Sequence, residues 1–311
     1  MLVLLTGASG FIGNAFLHKV LSGSLRIRIL SRRPFGRPLS TNIEYVVDDY
    51  CTSNNLDKIM HGVDVVVHAA AEINDHSKIF DVNYYGSMRL LTAAINAGVK
   101  RWVQVSSVGV YGRCRNQLVT ESTPESPVGI YEKSKALFDT LLFQLAVNSD
   151  LEYTIIRPSI VYGRHMPNSS LRMILKALRL GLFFFIGPPG SSANYVHIDD
   201  VVDALMLSVS LPKAANQTYI VSCHSSVEVM VSSLARGAGM NPPFIRLNLA
   251  IARFASFILI HLPFRILTPS RVDALTSRVI YSSNKIQNDL GWKPSVSIQQ
   301  GMYDYGLDQR S

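Results

Sequence analysis

The tightest constraint on this chain lies in its first thirteen residues, where the apolar run Met1–Leu5 meets the segment TGASGFIG, Thr6 to Gly13. The run is long enough for one strand, and the FIGNAFLHKVLSG that follows has apolar residues at helical spacing. Three glycines, Gly7, Gly10 and Gly13, occupy the joint. A plain turn could use them. A strand, spaced glycines and a helix is also the arrangement that lets backbone N–H groups close on a diphosphate. One glycine permits the tight turn, another the approach of the anion, and a third the close seat of helix on strand. The helix N-terminus adds partial positive charge. The spacing is G-x-x-G-x-x-G, and its place at the first strand-to-helix joint favours the anion cradle.

Apolar runs then alternate with amphipathic stretches. RIRIL, VDVVVHAAA (Val63 to Ala71), WVQVSS (Trp102 to Ser107) and YTIIRP (Tyr153 to Pro158) read as strands, with helical patterns over Asn83 to Ala97 and Tyr131 to Val147. Strand and helix in alternation imply an α/β fold, a doubly wound parallel sheet of Rossmann type. After Pro158 the rhythm breaks. A helix, an apolar run, a Pro-Pro-Gly turn and a helix begun by Asp199 or Asp200 follow, and QTYIVSC (Gln217 to Cys223) reads as one more strand. The expected organisation is a dinucleotide-binding domain of residues 1–162 plus 195–223. Residues 163–194 plus 224–311 form a smaller, discontinuous C-terminal substrate lobe over the carboxyl edge of the sheet.

The 311 residues carry a formal net charge of +8, which suits an anionic ligand, a membrane surface or nucleic acid. The basic residues are scattered, with no dense Lys/Arg run interleaved with aromatics, so nucleic acid is not expected. Cys51, Cys114 and Cys223 are far apart and odd in number, which predicts reduced thiols in the cytoplasm and no metal site. The N-terminus lacks the basic start of a signal peptide. In LNLAIARFASFILIHLPF, Leu247 to Phe264, Arg253 interrupts and Pro263 closes the run, so no transmembrane segment is expected. A buried or lobe-covering helix is the first reading there, and surface attachment to a membrane the second.

The second strand ends in Ser31-Arg32-Arg33, where a carboxylate for the ribose hydroxyls of NAD would stand. Two guanidiniums and a hydroxyl suit a 2′-phosphate, so NADP(H) is favoured over NAD(H); a solvated basic loop is the alternative. In YEKSK, Tyr131 and Lys135 are four apart and project from one helix face. A neighbouring ammonium would lower a phenol's pKa and give a usable acid/base; an ordinary surface pair is the plain alternative. Ser106 and Ser107 end a strand at the edge where such sheets bind ligands. There a Ser107 hydroxyl could orient a carbonyl, or simply cap the strand end.

Together these residues resemble the extended short-chain dehydrogenase/reductases, in the nucleotide-sugar epimerase/dehydratase branch. The likeness runs through TGASGFIG, VVDDY after the third strand, HAAA, VNYYGSMRLLTAA, AGVKRWVQVSSVGVYG, YEKSK, IIRPSIVYG, YVHIDDVVDAL and LGWKP. It implies that Tyr131 is the acid/base, that Lys135 binds the nicotinamide ribose and tunes the phenol, and that Ser107 positions the carbonyl. It implies cofactor contacts from Gly7, Ser9, Gly10, Phe11, Ile12, Gly13, Asp49, Tyr50 and Pro158. Ala69, Ala70, Ala71 and Asn83 match cofactor-lining and helix-stabilising positions. A homodimer through the helices near Asn83–Ala97 and Tyr131–Val147 is the family's usual assembly.

Departures from the family's subgroups sort the reactions. Val108 and Gly109 follow Ser107, where 4,6-dehydratases carry Asp-Glu, so dehydration is not expected. Ile160 and Ala193 stand where hexose 4-epimerases carry Asn and Arg. The wording of the later motifs is similar to reductases of 4-keto-6-deoxy nucleotide sugars that serve surface polysaccharides. Reduction at C4 with NADPH is the expected reaction, with Val108, Ile160, Arg271 and Arg278 as substrate contacts. A nucleotide-sugar 4-epimerase with retained NAD is the runner-up. A hydroxysteroid-type dehydrogenase and a non-catalytic redox sensor follow it.

Overall fold

The structure, a computed structural model, describes residues 1–21, 23, 25–34, 42–114, 118–259 and 268–310. Its centre is a seven-stranded sheet. In chain order the strands are β1 (Leu2–Thr6), β2 (Arg26–Ser31), β3 (Ile43–Val47), β4 (Val65–His68), β5 (Arg101–Val105), β6 (Glu152–Pro158) and β7 (Gln217–Val221). They lie in the order β3-β2-β1-β4-β5-β6-β7, and every neighbouring pair is parallel. The order reverses between β1 and β4, which opens the crevice where such sheets take ligands. This is the Rossmann-type α/β fold expected from the alternation of apolar runs.

The residue period of two decides which side chain meets which layer. In β1, Val3 and Leu5 join the core under helices Phe11–Leu21 and Ile198–Ser210, with Phe16, Leu17, Val201 and Leu205. Leu2 and Leu4 point to the other face. There they meet Leu90 and Leu91 of helix Ser87–Asn96 and Phe138 and Leu142 of helix Ile130–Val147. A strand covered on both faces reads as an apolar run, as Leu2 to Leu5 do, and Thr6, also buried, is paired with His68 Nδ1 at 2.8 Å. The LGWKP segment closes the first layer. Trp292 donates Nε1–H to the Asp200 carbonyl at 2.9 Å, and Ser295 donates its N–H and hydroxyl to Asp200 Oδ1 at 2.6 and 2.7 Å.

A second, three-stranded sheet joins the ends of the main one. Strand Ser192–His197 pairs in parallel with Ile160–Tyr162 and antiparallel with Cys223–Ser226. Two of these strands run across the expected boundaries at 194 and 223, and the third ends at 162, so the two halves of the chain share this sheet. Around it a third apolar cluster gathers Tyr162, Leu171, Leu175, Phe183, Phe185, Tyr195, Met230, Leu234 and Met302.

Several local expectations need correction. The helix after YVH begins at Ile198, and its cap is His197, whose Nδ1 accepts from Asp199 N–H at 3.4 Å. His197 has an extended backbone, so Asp199 and Asp200 fall in the first turn instead. The expected strand Gln217 to Cys223 stops at Val221, and Cys223 begins the three-stranded sheet. The helix expected from Asn83 begins at Asp81 as a wide π turn before Ser87–Asn96. Within Leu247 to Phe264 the structure forms helix Leu249–Leu259, and residues 260–264 lie outside the described residues. That helix is not buried: Ala252 and Ser256 are enclosed, while Ile251, Phe254 and Phe257 are exposed.

Candidate active site

The glycine loop folds as its spacing requires. Gly7 has φ +74°, and a Cβ there would lie 2.5 Å from Ala70 N. The carboxyl end of β1 therefore passes directly over the end of β4, and only glycine fits. Gly13 seats the first helix against the loop, since a Cβ on it would stand 2.1 Å from Gly7 O. Gly10 N–H donates to Gly7 O at 2.8 Å, and Asn14 N–H to Gly10 O at 2.9 Å. Between them the N–H groups of Phe11, Ile12 and Gly13 form the first turn of a helix, which has no carbonyl of its own to bond. Such a turn is an anion cradle.

The loop borders a cavity of about 620 Å³ at the carboxyl ends of β1 to β4. Of the expected cofactor residues, Gly7, Ser9, Gly10, Ser31, Arg32, Arg33, Asp49, Tyr50, Ala69, Ala70 and Ala71 line it. Arg32 and Arg33 are exposed and make no ion pair among the described residues. Asp49 is held in place by Cys51 N–H, 2.9 Å from Oδ1. The structure adds Asp48, Cys51 and Glu72 to the wall. Glu72 Oε1 accepts from the N–H groups of Ile73, Asn74 and Asp75 at 2.9 to 3.1 Å, and these donors lower its pKa. Loop residues Gly7, Ser9 and Gly10, two guanidiniums and room for a dinucleotide fit an NAD-type cofactor.

Phe11, Ile12, Gly13, Asn83 and Pro158 do not line this cavity. Phe11 packs on the third apolar cluster and Ile12 on the first. Pro158 is buried at the end of β6. Asn83 acts as a clasp. Its side chain accepts from Glu72 N–H at 2.7 Å and donates to the Glu72 carbonyl at 2.9 Å and to Ser134 Oγ at 3.1 Å. Ser134 in turn donates to the Tyr131 carbonyl at 2.7 Å. The loop after β4 is thus tied to the helix that carries Tyr131 and Lys135.

Ser107 follows β5 in an extended conformation and caps the short turn Val108–Tyr111, accepting from Gly109 N–H at 3.0 Å. The strand-end cap is therefore real, and the hydroxyl still has its own proton to donate. A Cβ on Gly109 would lie 2.7 Å from Glu132 Cγ and 3.3 Å from Ser107 Oγ. The absence of a side chain lets the Ser107 turn sit against the first turn of helix Ile130–Val147, where Tyr131 lies.

The expected partnership of Tyr131 and Lys135 differs from what the structure shows. Lys135 is 3% exposed and donates to the Val105 carbonyl at 2.7 Å, with no hydrogen bond to the phenol. Burial, with Glu132 and Asp139 nearby, raises the Tyr131 pKa above its ordinary value instead of lowering it. Burial also lowers Lys135 to about 8, against the opposing pull of Asp139. In this state the ammonium fastens the helix to the end of β5, and the phenol stays protonated.

Behind them lies a buried charge cluster that sequence reading missed. Asp139 Oδ2 accepts from Ser106 Oγ at 2.7 Å and from Arg157 Nε and Nη2 at 3.2 and 3.0 Å. Arg157 also pairs with Glu125, donates to Tyr111 Oη at 3.1 Å and stacks 5.1 Å over the Tyr111 ring. The sequence held only a partial signal: Asp139 follows Lys135 by four residues on the same helix face, but nothing local points to Arg157 or Glu125. Its burial raises its pKa despite Arg157, so breaking this pairing would leave an expensive buried charge.

A second cavity, of about 440 Å³, opens in the C-terminal part. Val108, Ile160, Ala193 and Arg271 line it among Met173, Leu182, Phe183, Tyr195, Met230 and Leu275. Arg278 does not, because its guanidinium donates to the Pro189 carbonyl at 2.8 Å. Val108 is the residue after Ser107, so the serine turn reaches this second wall. Ser107, Tyr131 and Lys135 line neither cavity.

Comparison with known proteins agrees with this geometry. The profile of the NAD dependent epimerase/dehydratase family matches residues 3–222. The chain is 28% identical over 318 residues to UDP-glucose 4-epimerase of Vibrio cholerae, covering 96% of this chain and 92% of that one. Its fold is similar to a short-chain dehydrogenase/reductase superfamily protein of Agrobacterium tumefaciens with bound NAD, at TM-score 0.77 and 22% identity, over 100% of this chain and 97% of that one. It is also similar to UDP-glucose 4-epimerase of Thermotoga maritima with UDP-glucose, at TM-score 0.74 and 21% identity, over 98% and 97%. The chain belongs to the NAD dependent epimerase/dehydratase family.

Proposed function

We propose that this enzyme reduces the C4 ketone of a 4-keto-6-deoxy nucleotide sugar with NADPH. The observation that carries the reading is the corner of the 620 Å³ cavity at the end of β2, where the strand supplies Ser31, Arg32 and Arg33 and the carboxylates of the wall, Asp48, Asp49 and Glu72, come from other segments. Two guanidiniums free of acidic partners among the described residues suit a 2′-phosphate and an exchangeable cofactor. A bound nicotinamide supplies the hydride.

The chain's residues do the rest. The glycine loop, with Gly7, Ser9 and Gly10 on the cavity wall and the first-turn amides of Phe11 to Gly13 directly behind them, holds the diphosphate of the dinucleotide. Ser107 donates its free O–H to the sugar carbonyl, and Tyr131, kept protonated by burial, gives its proton to the oxyanion as charge develops. Lys135 moves from the Val105 carbonyl toward the ribose when the site is filled. Residues 163–194 and 224–311 hold the sugar nucleotide, with Arg271 near the diphosphate and Val108 and Ile160 against the sugar. Exposed Leu137, Phe143 and Val147 on helix Ile130–Val147 and Tyr85 on the neighbouring element form the homodimer face.

The second reading is a nucleotide-sugar 4-epimerase that retains NAD, favoured by the identity to the Vibrio cholerae enzyme along nearly the whole chain. Against it, apolar Ile160 and Ala193 line the second cavity where polar contacts would be needed. An assay separates the two. Oxidation of added NADPH by UDP-, dTDP- or GDP-linked 4-keto-6-deoxy sugars is expected. No oxidation with any of these, together with interconversion of UDP-hexoses without added cofactor, assigns the epimerase.

A further inference from the structure

The segments around the second cavity carry all of the chain's surplus charge. Residues 164–190 and 237–283 together contain nine Lys and Arg and a single acid, Asp273, which matches the formal net charge of +8; elsewhere the two signs balance. Of the nine, Arg265 lies outside the described residues, and Arg246 pairs with Glu228 at 2.8 Å. So few acids in so long a stretch favours an anionic partner.

The same segments expose large apolar side chains. On helix Leu249–Leu259, Ala252 and Ser256 are fully enclosed, while Ile251, Phe254 and Phe257 are 62%, 70% and 65% exposed. Their spacing by three puts them on one side of the helix. Arg253 stands exposed among them, and the helix carries no acid. Phe244, just before strand Arg246–Leu247, is 90% exposed. That strand pairs with Phe185–Ile186. The chain leading into Phe185–Ile186 brings exposed Leu180 and half-exposed Leu182, and Leu182 is part of the cavity wall.

Protruding phenylalanines with an exposed arginine among them and no acid on the helix are the features of an element that lies in the headgroup layer, and no helix among the described residues is long and apolar enough to cross a membrane. Single-stranded nucleic acid would stack on phenylalanines, but exposed Leu180, Leu182 and Ile251 offer a base no ring to stack on, whereas acyl chains meet both kinds of side chain. A water-filled surface would favour neither. We propose that this lobe docks peripherally on an anionic lipid bilayer, with Phe244, Ile251, Phe254 and Phe257 among the headgroups and Arg253 facing lipid phosphates. The proposal does not depend on which C4 chemistry the enzyme performs.

Co-sedimentation of the full chain with vesicles of phosphatidylcholine, with and without phosphatidylglycerol, tests it. Binding to the phosphatidylglycerol vesicles is expected, weakened at least ~10-fold by Phe254→Ser with Phe257→Ser and also by added salt. Arg253→Glu should weaken it as well, which keeps the test open if the double variant folds poorly. Cofactor binding should be unchanged in both. No binding to either vesicle, or binding that none of these changes weakens, overturns the proposal. So does a phenylalanine variant that turns a dimer into a monomer while vesicle binding stays at the wild-type level, because the face would then join two copies of the chain.

Discussion

The two cavities that the candidate cofactor and substrate residues line are built by different means. The one at the ends of β1 to β4 is made largely of backbone and of residues adjacent in sequence: a glycine loop, the Ser31–Arg33 corner, Asp48 to Cys51 and Ala69 to Glu72. The other is made of side chains from many separated segments, mostly apolar, with Val108, Ile160, Ala193 and Arg271 brought together only by folding. A backbone site has little freedom, since a turn with φ +74° and strands in contact allow one shape. A side-chain site can change its ligand by exchanging a few residues on the same scaffold. On the proposed reading, the first cavity therefore sets the cofactor class and the second the choice of substrate.

Substitutions can break this contrast, starting with the backbone. Gly7→Ala places a Cβ 2.5 Å from Ala70 N in a left-handed conformation, a strain of about 1–3 kcal/mol before the clash is counted. Loss of measurable cofactor binding and a lower melting temperature are expected. An alanine variant that binds NADPH normally would mean that the loop does not set the site. Next in size is the basic corner. Arg32→Ala with Arg33→Ala should raise the KM for NADPH roughly 10- to 100-fold and leave that for NADH nearly unchanged, as loss of charge-assisted bonds to a phosphate implies. Equal effects on both cofactors would remove the 2′-phosphate from the account.

The smallest effect concerns the buried lysine and is read from stability against pH. In the folded chain Lys135 titrates at about 8, below its ordinary 10.5. Below pH 8 folded and unfolded chains both hold the proton. Between about 8 and 10.5 the unfolded chain binds a proton that the folded chain has released, so stability rises with pH in that window. Urea unfolding should show this rise in the wild type relative to Lys135→Met, whose side chain does not titrate. Parallel profiles for the two proteins would place Lys135 in water.

The same contrast explains what could be read from sequence. Strand and helix alternation, the glycine joint, the serine at the end of β5 and the helix bearing Tyr131 were legible because each is a local pattern. Ile43–Val47 was visible only through the resemblance of the VVDDY that overlaps its end, since a short edge strand with partly exposed residues has no strong period. The Asp139–Arg157–Glu125 cluster was missed because its members come from three segments that meet only in the fold. The phenylalanines at 254 and 257 misled for a different reason. Helical apolar spacing says which residues share a face, but not whether protein covers that face. For Lys135 the spacing was right and the contact was not, because the nearby Val105 carbonyl takes the ammonium.

The central claim is that the Tyr131 phenol delivers the proton in a reaction whose cofactor is held by the glycine loop. Tyr131→Phe, assayed for turnover and, separately, for NADPH affinity, tests it most directly. Turnover should fall by about 10²- to 10⁴-fold with NADPH affinity unchanged, the loss of a general acid and nothing else. Turnover within a few-fold of the wild type would contradict it.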